Sequence, residues 1–434
     1  MTRISVFGLG KLGSTIALLY ASKGHKVIGV DIDPQLISKL NSGINVFGET
    51  GIDKVLESST LDFTATLDSE LALKNTDVSL IVLPTPSNQK GVFDNSFIIN
   101  CLTHLSLILK TKNSFHLFVL NSTVMPNSCE TEFIPLIERI SGKQVNEDFA
   151  FIYSPEFIAL GEIIKNMTNP DLLLIGGSDT RSSKEYEKLA LSITDSKPEI
   201  HIMNLANAEI TKISINSYIT MKISFANFLS EVCEKVPGGD VDIVTNAIGS
   251  DSRIGKKYLT GGTGFGGPCF PRDNVALSSF SAQLGVDASL AIASDKVNNR
   301  QVKRIIDLIP RQRNLKILIC STSYKPKTQV SEESQGVKLF QELSNFYKDV
   351  RPFNPPNDIL EIPDIKGTLD HEIRNSNVII YMQIEKLYNI ENIECLSDKI
   401  LIDPWRQHEI SLDDQKKYNI IYHNLGAAHF KGHP

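Results

Sequence analysis

The chain has 434 residues, a length that predicts two or three domains rather than a single core. Its hydrophobic content of 41% and charged content of 22% are typical of a soluble globular protein. A net charge of −6 and a pI near 5.9 argue against nucleic acid or an anionic membrane surface as a partner.

The first segment reads as a strand, a glycine turn, a helix and a second strand. Residues 4–7 are apolar, GLGKLG follows with G-x-G-x-x-G spacing, and the strand KVIGV ends at Asp31. Such glycines let a pyrophosphate approach a helix N-terminus, and the Asp31 carboxylate can accept a hydrogen bond from a ribose 2′-hydroxyl. Because Asp31 would repel a 2′-phosphate, the pattern predicts NAD as the cofactor. The cofactor-binding residues here are Gly8, Gly10, Lys11, Leu12, Gly13 and Asp31.

Two further apolar runs, residues 78–86 and 115–124, end in turn residues. Continuous apolar strands of this kind are typical of a parallel sheet whose carboxyl ends face a ligand. We therefore add four residues at these strand ends to the cofactor set: Pro84, Thr85, Ser122 and Thr123.

Glu156 lies just beyond another strand, in FAFIYSPEFIALG, at the same predicted edge. It is either a catalytic carboxylate or the capping residue of a helix that opens at SPEF.

A long helical pattern runs from Leu205 to about Lys235. Lys212 and Asn216 are four residues apart and so share one helix face. This polar face is either solvated or aimed at a developing oxyanion. The cluster of Arg253, Lys256 and Lys257 that follows is either a solvated face or a site for phosphate or carboxylate.

The stretch GGTGFGGPCFPRD, residues 261–273, contains five glycines around Cys269. A cluster of glycines implies that the backbone comes close to another group, such as a ligand. A cysteine thiolate in such a loop would be a nucleophile. The alternative is a small buried cysteine in a structural loop. Arg272 and Asp273 follow directly. Arg272 could supply a positive electrostatic field, and Asp273 a carboxylate that positions water.

Residues 275–308 read as helices, and from Leu315 strands alternate with helical stretches again. The apolar runs 377–383, 399–405 and 419–426 predict a second parallel sheet, which has no G-x-G-x-x-G and should hold a different ligand. The predicted fold class is α/β, with two Rossmann-like doubly wound domains joined by a long central helix and a helical middle domain. The predicted domains are residues 1–200, 201–312 and 313–434.

The six cysteines form no C-x-x-C pair and have no metal-ligand spacing with the nine histidines, so no metal is predicted. The N-terminal MTRISVFGLG leads into a strand without a signal-peptide core, and no apolar run is long enough for a membrane span. We expect a reduced, cytoplasmic protein.

Taken together, these residues resemble the UDP-glucose/GDP-mannose dehydrogenase family over nearly the whole chain. The resemblance rests on GLGKLG with Asp31, PTP at 84–86, STV at 122–124, PEF at 155–157, NPDLLLIGG, the Lys212 and Asn216 helix, SRIGKKYL and GTGFGGPCFPRD. It implies two successive oxidations of a sugar primary alcohol to a carboxylate, with reduction of two NAD+.

The resemblance also implies a role for each matching residue. Cys269 matches the nucleophile that forms a thiohemiacetal and then a thioester, and Lys212 with Asn216 matches the oxyanion-stabilising pair. Glu156 and Thr123 match the acid/base and water-handling residues, and Asp273 matches the carboxylate that assists Lys212. Arg253 matches an arginine that reaches the neighbouring subunit, which implies a homodimer. The implied sugar-nucleotide site contains Phe157, Ile158, Lys212, Asn216, Arg253, Tyr258, Phe265, Gly266 and Lys325, and Lys325 is also assigned to the cofactor set.

Three positions depart from the family pattern. Leu160 stands where a second glutamate is common, PKTQVSEES follows Lys325 in place of a T-x-D-x-R segment, and Pro268 precedes the cysteine. The first two affect sugar and nucleotide contacts, so they bear on the substrate more than on the chemistry. The GFGG form of the loop resembles the UDP-glucose and GDP-mannose branches of the family more than the N-acetylhexosamine branch. UDP-glucose is the first expectation, with GDP-mannose and a UDP-N-acetylhexosamine as alternatives. The rival functions are a single-step β-hydroxyacid-type dehydrogenase and a non-catalytic nucleotide-sugar-binding protein.

Overall fold

The computed structural model describes residues 1–58, 61–158, 161–325, 330–354, 368–383 and 393–428. The chain forms two compact units, Met1–Ile213 and Ser214–Pro434. Among the described residues, no helix is both long and apolar enough to cross a membrane.

The first unit contains a sheet of eight strands in the order β3-β2-β1-β4-β5-β6-β7-β8. The order reverses between β1 and β4, so the carboxyl ends of these strands border a crevice suited to a ligand. The strands are β1 Arg3–Phe7, β2 Lys26–Val30, β3 Asp62–Thr66, β4 Val78–Ile81, β5 His116–Leu120, β6 Phe149–Tyr153, β7 Leu172–Gly177 and β8 Glu199–Met203.

Helices cover both faces of this sheet. Alternate strand residues enter two separate cores, with Phe118 and Leu120 of β5 in one and Leu117 and Val119 in the other. The helices are α1 Lys11–Ser22, α2 Pro34–Asn41, α3 Ile52–Leu56, α4 Ser69–Asn75, α5 Ser96–Leu109, α6 Ile134–Ser141, α7 Ile163–Thr168 and α8 Thr180–Leu191, with a wider turn at Cys129–Phe133 ahead of α6.

One feature of this sheet differs from the expected parallel arrangement. Among the described strands, β7 runs antiparallel to β6, and β8 then pairs parallel with β7. The described part of the connection from β6 to β7 includes the short helix α7. The apolar run at residues 172–177 indicates a strand but does not determine the direction in which it pairs.

Helix α9, Leu205–Cys233, is the long helix expected from the sequence. Its buried side is polar: it includes Lys212, Asn216, Ser217, Thr220, Ser224, Asn227 and Ser230. Its exposed residues include large apolar side chains, namely Ile210, Tyr218, Phe225, Phe228 and Val232. This distribution is the reverse of an ordinary surface helix, whose apolar stripe faces the core.

The second unit continues with helices and a five-stranded sheet. All described pairings in this sheet are parallel, in the order β10-β9-β11-β12-β13. The helices are α10 Val241–Gly249, α11 Phe270–Gln283, α12 Ser289–Asn299, α13 Gln301–Ile306, α14 Gln335–Ser344, α15 Leu369–Arg374 and α16 Leu412–Lys417, with a 3-10 turn at Ile393–Leu396. The strands are β9 Lys316–Cys320, β10 Asp349–Phe353, β11 Val378–Tyr381, β12 Ile400–Asp403 and β13 Ile421–Asn424.

The predicted fold class is therefore confirmed, with two sheets separated by α9 and a helical region. The boundary between the two compact units falls within α9. The division at residues 200 and 312 stays a prediction.

Candidate active site

The three glycines of the first turn meet three different needs. Gly8 has φ +92°, a left-handed conformation that favours glycine. A Cβ at Gly13 would overlap the Gly8 carbonyl, so this glycine lets α1 pack against the turn. A Cβ at Gly10 would have no described atom within 4 Å, which leaves room for a ligand at the N-terminus of α1.

Asp31 lies beside this turn at the end of β2. Its Oδ2 accepts the backbone N–H of Leu9 at 2.7 Å, and its Oδ1 accepts that of Asp33 at 3.1 Å. Each carboxylate oxygen can accept more than one hydrogen bond, so Asp31 retains capacity for ribose hydroxyls. Together with the open N-terminus of α1, these features fit NAD, which would supply a hydride acceptor when bound.

Lys11 and Leu12 follow Gly10 but differ in their surroundings. The Lys11 ammonium lies 3.1 Å from Oε2 of the buried Glu49, whereas the Leu12 side chain packs against a hydrophobic core. Glu49 Oε1 also accepts the backbone N–H of Ile163 at 2.8 Å. Glu49 therefore ties the cofactor turn to the start of α7. Sequence reasoning missed it because it lies in a stretch without periodic pattern.

The side-chain hydroxyls of two predicted cofactor residues, Thr85 and Ser122, connect the segments that follow β4 and β5. Ser122 Oγ accepts from the Leu83 N–H at 2.9 Å and donates to the Leu83 carbonyl at 2.6 Å. Thr85 Oγ1 donates to the Thr123 carbonyl at 2.7 Å. Pro84 is exposed and Thr123 is partly exposed at the same edge. These contacts shape the cofactor side of the crevice.

Glu156 lies beyond β6 in a partly buried position. Desolvation raises the pKa of Glu156 to about 7, although the nearby Lys212 charge and a hydrogen bond from Asn121 both act to lower it. Asn121 donates to Glu156 Oε1 at 3.2 Å and to the Ser154 carbonyl at 2.7 Å. A carboxyl group with a pKa near neutrality suits general acid/base work. Asn121 precedes the STV motif, and its role was not inferred from the sequence.

Lys212 is positioned by the same loop. Its ammonium donates to the Glu156 carbonyl at 2.5 Å and lies 4.2 Å from the centroid of the Phe157 ring. The Phe157 and Ile158 side chains each pack against a core of the first unit. The structure thus brings Lys212, Glu156 and Phe157 together. Leu160 lies outside the described residues.

In the second unit, Cys269 directly precedes α11. All six cysteines fall within the described part of the chain, and Cys269 is the exposed one. Burial raises the pKa of the Cys101 and Cys320 thiols to about 12. Cys269 is instead the N-cap residue of α11, at the end of a helix where the dipole favours negative charge. The alternative of a buried structural cysteine is therefore wrong.

Asp273 lies one turn into α11 and is buried. Its Oδ2 accepts from Asn216 Nδ2 at 2.6 Å, and its Oδ1 lies 3.2 Å from Arg272 Nε. The polar face of α9 is consequently not solvated around Asn216. It is held against α11, the helix that directly follows Cys269.

Amides fix the glycine loop from several elements. Asn298 of α12 accepts from the Phe265 N–H at 2.7 Å, and Gln335 of α14 donates to the Phe265 carbonyl at 2.9 Å. Asn227 of α9 accepts from the Gly262 N–H at 2.8 Å. The Phe265 side chain is buried, and a Cβ at Gly266 would overlap the Glu333 carbonyl. The loop is thus closely held.

The remaining predicted substrate residues are more exposed. Arg253 pairs with Asp251 at 2.6 Å, and Tyr258 has a left-handed φ of +63° with its ring edge-on to Phe270. The Lys325 ammonium lies 5.6 Å from the centroid of the Tyr324 ring. The segment PKTQVSEES, residues 326–334, departs from the family pattern, and its first four residues lie outside the described residues.

Comparison with known proteins identifies the family. Two models of the UDP-glucose/GDP-mannose dehydrogenase family match, its NAD binding domain at residues 2–193 and its central domain at residues 206–300. The UDP-glucose 6-dehydrogenase of Rickettsia bellii is 32% identical over 428 residues, which cover 96% of this chain and 92% of that protein. This chain belongs to the UDP-glucose/GDP-mannose dehydrogenase family.

It is therefore an NAD-dependent nucleotide-sugar 6-dehydrogenase, and the predicted family, cofactor and enzyme class are confirmed. A GDP-mannose 6-dehydrogenase of Pseudomonas syringae pv. tomato is 31% identical over 398 residues, covering 87% of this chain and 90% of that protein. A UDP-glucose dehydrogenase from Pyrobaculum islandicum shares the fold, with a TM-score of 0.85 at 24% identity over 99% of this chain and 98% of that chain. Membership of this family sets aside both the single-step and the non-catalytic alternatives.

Proposed function

We propose that this dehydrogenase performs a four-electron oxidation, from the sugar primary alcohol of UDP-glucose to the carboxylate of UDP-glucuronate. The observation that carries the proposal is the exposed Cys269, held at the N-terminus of α11 one turn from the buried Asp273–Asn216 pair. A thiolate in that position is a nucleophile toward an aldehyde.

The chemistry balances with one protein nucleophile. The alcohol carbon loses a hydride and its hydroxyl oxygen loses a proton, which leaves an aldehyde, and the Cys269 thiolate adds to that aldehyde to form a thiohemiacetal. Loss of a second hydride leaves a thioester, which water hydrolyses to the carboxylate and free thiol. One water and two NAD+ are consumed, and two NADH and three protons are released. Covalent capture keeps the reactive aldehyde in the site between the two oxidations.

The neighbouring residues have distinct proposed roles. Lys212 and Asn216 stabilise the oxyanion at the reacting carbon, because both are buried polar groups on one face of α9. Glu156 and Thr123 handle the proton and the hydrolytic water, and the pKa of Glu156 near 7 supports that role. Asp273 orients Asn216 and assists Lys212.

The choice of UDP-glucose rests on relatives that bear that name, and the GFGG loop resembles the UDP-glucose and GDP-mannose branches more than the N-acetylhexosamine branch. GDP-mannose and a UDP-N-acetylhexosamine are the alternative substrates, since a relative named for GDP-mannose is similarly close. Arg253, Tyr258, Phe265, Gly266 and Lys325 stay proposed substrate residues. The six free cysteines support a cytoplasmic location.

The proposed assembly is a homodimer that buries the apolar side of α9. Tyr218, Phe225, Phe228 and Val232 of that side are between 42% and 56% exposed in the single chain. Their spacing of seven, three and four residues follows a heptad seam, the pattern that packs helix against helix. A second copy of the same helix is the simplest surface that satisfies it.

The test is the number of NADH molecules formed per sugar. Purified protein is incubated with NAD+ and each of UDP-glucose, UDP-galactose, GDP-mannose and the UDP-N-acetylhexosamines, with Cys269→Ser beside the wild type and Cys101→Ser as the matched control. We expect two NADH and one uronic acid per UDP-glucose for the wild type and the control, and stalled turnover for Cys269→Ser. One NADH per sugar with an active Cys269→Ser variant would contradict the thioester route.

A further inference from the structure

We propose that Trp405 and Arg406, which follow β12 after Pro404, form a positioning clamp for the loop that carries Cys269. This clamp rests on the proposed role of Cys269 as the nucleophile. Trp405 was predicted only as the end of a strand, and Arg406 lies in no motif. Arg406 contacts Gly261 and Trp405 contacts Gly262, the first two residues of the glycine loop.

Arg406 uses all five of its N–H donors. Nε and Nη2 donate to the two oxygens of Asp242, at 2.6 Å and 2.8 Å. Nη2 also donates to the Gly261 carbonyl at 2.7 Å, and Nη1 donates to the carbonyls of Pro404, at 2.9 Å, and Leu425. Only a guanidinium offers five donors in a planar fork, so lysine cannot reproduce this set.

The partners of Arg406 lie on separate elements. Asp242 belongs to the first turn of α10, Leu425 follows β13, and Gly261 starts the glycine loop. One side chain, only 10% exposed, therefore fixes the loop to two other parts of the second unit. The loop carbonyl is bonded to a charged donor, which makes this contact stronger than a neutral hydrogen bond.

The backbone at Arg406 is strained in a way that serves this contact. Its φ of +58° lies in the left-handed region, which residues with a Cβ rarely occupy. Such strain persists only where the surroundings determine the conformation, and it concentrates at functional sites. Here the turn directs the guanidinium toward Gly261 and Asp242.

Trp405 supplies the second half of the clamp. Its indole N–H donates to the Met382 carbonyl at 3.1 Å, which fixes the ring. The ring then lies so close to Gly262 that a Cβ at this position would overlap its carbon atoms. Gly262 is also bonded to Asn227 of α9. The loop therefore starts between the indole and the helix that carries Asn216.

We expect disruption of this clamp to slow the chemical step and to leave cofactor binding unchanged. If the loop start shifts, the Cys269 sulfur is misplaced, and a displacement of about 1 Å can cost on the order of 100-fold in rate. The cofactor turn lies in the other compact unit and keeps its contacts. A merely structural role would instead lower the melting temperature without separating kcat from the KM for NAD+.

The experiment compares Arg406→Lys and Arg406→Ala with Arg351→Lys as the matched control. Arg351 lies on β10 of the same sheet, and its guanidinium pairs with Glu372. We expect kcat to fall about 10- to 100-fold in both Arg406 variants, with the KM for NAD+ within about threefold of wild type. Millimolar guanidinium should restore part of the lost kcat to Arg406→Ala but not to Arg406→Lys, whose side chain still fills the site.

A second readout needs no cofactor. Trp405 is the one tryptophan of the chain, so its fluorescence emission reports directly on the contact with Gly262. We expect a red shift in both Arg406 variants, together with an altered rate of Cys269 alkylation by iodoacetamide. The Arg351→Lys control should leave emission, alkylation rate and kcat at wild-type values.

Two outcomes would overturn the clamp. The first is wild-type kcat and emission in both Arg406 variants. The second is an equal loss of kcat and NAD+ binding that guanidinium does not restore, because that indicates general disruption. Cys269→Ser separates this proposal from the proposed function. If Cys269→Ser is active, Cys269 is not the nucleophile and the proposed function fails. If Cys269→Ser is inactive and Arg406→Lys has normal activity, only the clamp is ruled out.

Discussion

Burial of the Glu156 carboxyl has consequences for both activity and stability. Desolvation raises its pKa to about 7, and the Asn121 amide, which donates to Oε1, counteracts that rise. As a general base, Glu156 would work only when ionised, so kcat should increase as the pH rises through about 7. The same residue would then set the acid limb of the pH profile.

Substitution of Asn121 tests this limb with a definite sign. Asn121→Ala removes a hydrogen bond that favours the carboxylate, so the midpoint of the acid limb should move to higher pH. Glu156→Gln should lower kcat by about 100-fold or more and abolish the limb. The measurement is kcat from pH 5.5 to 9 with saturating NAD+ and sugar. Glu162→Gln, at an exposed carboxylate paired with Lys165, is the matched control.

Glu156 also predicts a stability difference that depends on pH. The folded state holds its proton up to about pH 7, whereas the unfolded state loses it near the ordinary glutamate value. The wild type therefore loses stability as the pH rises between these values. Glu156→Gln removes that penalty and should be more stable than wild type at pH 8 by about 2 kcal/mol, after allowance for partial exposure. At pH 4.5 the two proteins should melt alike, and an equal difference at both pH values would contradict the assigned cause.

At the scale of single elements, helix α9 shows what periodicity can and cannot predict. Its length followed from the sequence, because helical pattern extends from residue 205 to 235. Which side is buried did not follow, since polar residues usually face water. Ser217 donates to Asn274 at 2.6 Å and Ser224 donates to the Ser294 carbonyl at 2.9 Å, so buried partners satisfy the polar side. The apolar side stays exposed in the single chain, and it is the surface of the proposed homodimer.

A charged substitution on that side should separate the proposed dimer. Phe228 is 45% exposed in the single chain and lies at the centre of the apolar seam. Burying its ring is worth about 2 kcal/mol and burying an unpaired carboxylate costs more, so Phe228→Asp should weaken dimerisation by at least about 100-fold. Size-exclusion chromatography with light scattering gives the mass directly.

Phe97→Asp is the control for this substitution, because Phe97 is 50% exposed on α5 and outside the seam. It should leave the mass unchanged. A wild-type mass equal to that of one chain, or a Phe228→Asp variant with the wild-type dimer mass, would rule out the seam as the interface.

The site was predictable where chemistry and local pattern coincide. Gly8, Asp31 and Cys269 were found because a turn, a strand end or a dense glycine loop marks them in the sequence. Glu49, Asn121, Gln335 and Arg406 were missed because tertiary contacts alone give them their roles. The direction of β7 was missed for a related reason: apolar runs indicate a strand but not the sense in which it pairs.

At the scale of the whole molecule, one helix belongs to both compact units. The boundary lies between Ile213 and Ser214, so Lys212 is in the first unit and Asn216 is in the second. Four helical residues rotate by about 400°, which leaves these two side chains about 40° apart around the α9 axis. Continuous helix across the boundary is therefore what holds the proposed oxyanion pair in register.

Insertion of one alanine between Ile213 and Ser214 should break that register. It rotates Asn216 by about 100° relative to Lys212 and moves it by about 1.5 Å along the axis. We expect kcat to fall by more than about 100-fold, since a paired oxyanion site depends on the direction of both donors. The NAD+ dissociation constant, measured by calorimetry, should stay within about threefold, because residues 8–13 and Asp31 are in the first unit.

One alanine inserted after Gly285 provides the control, since that glycine lies in an exposed turn between α11 and α12. Surface turns tolerate insertion, so both kcat and NAD+ binding should be retained. If the α9 insertion leaves kcat unchanged, Lys212 and Asn216 do not act on one oxygen. If it abolishes NAD+ binding as well, the first unit does not hold its cofactor site independently of the helix register. A loss confined to kcat would show that the register of α9 sets the directions of the proposed oxyanion donors.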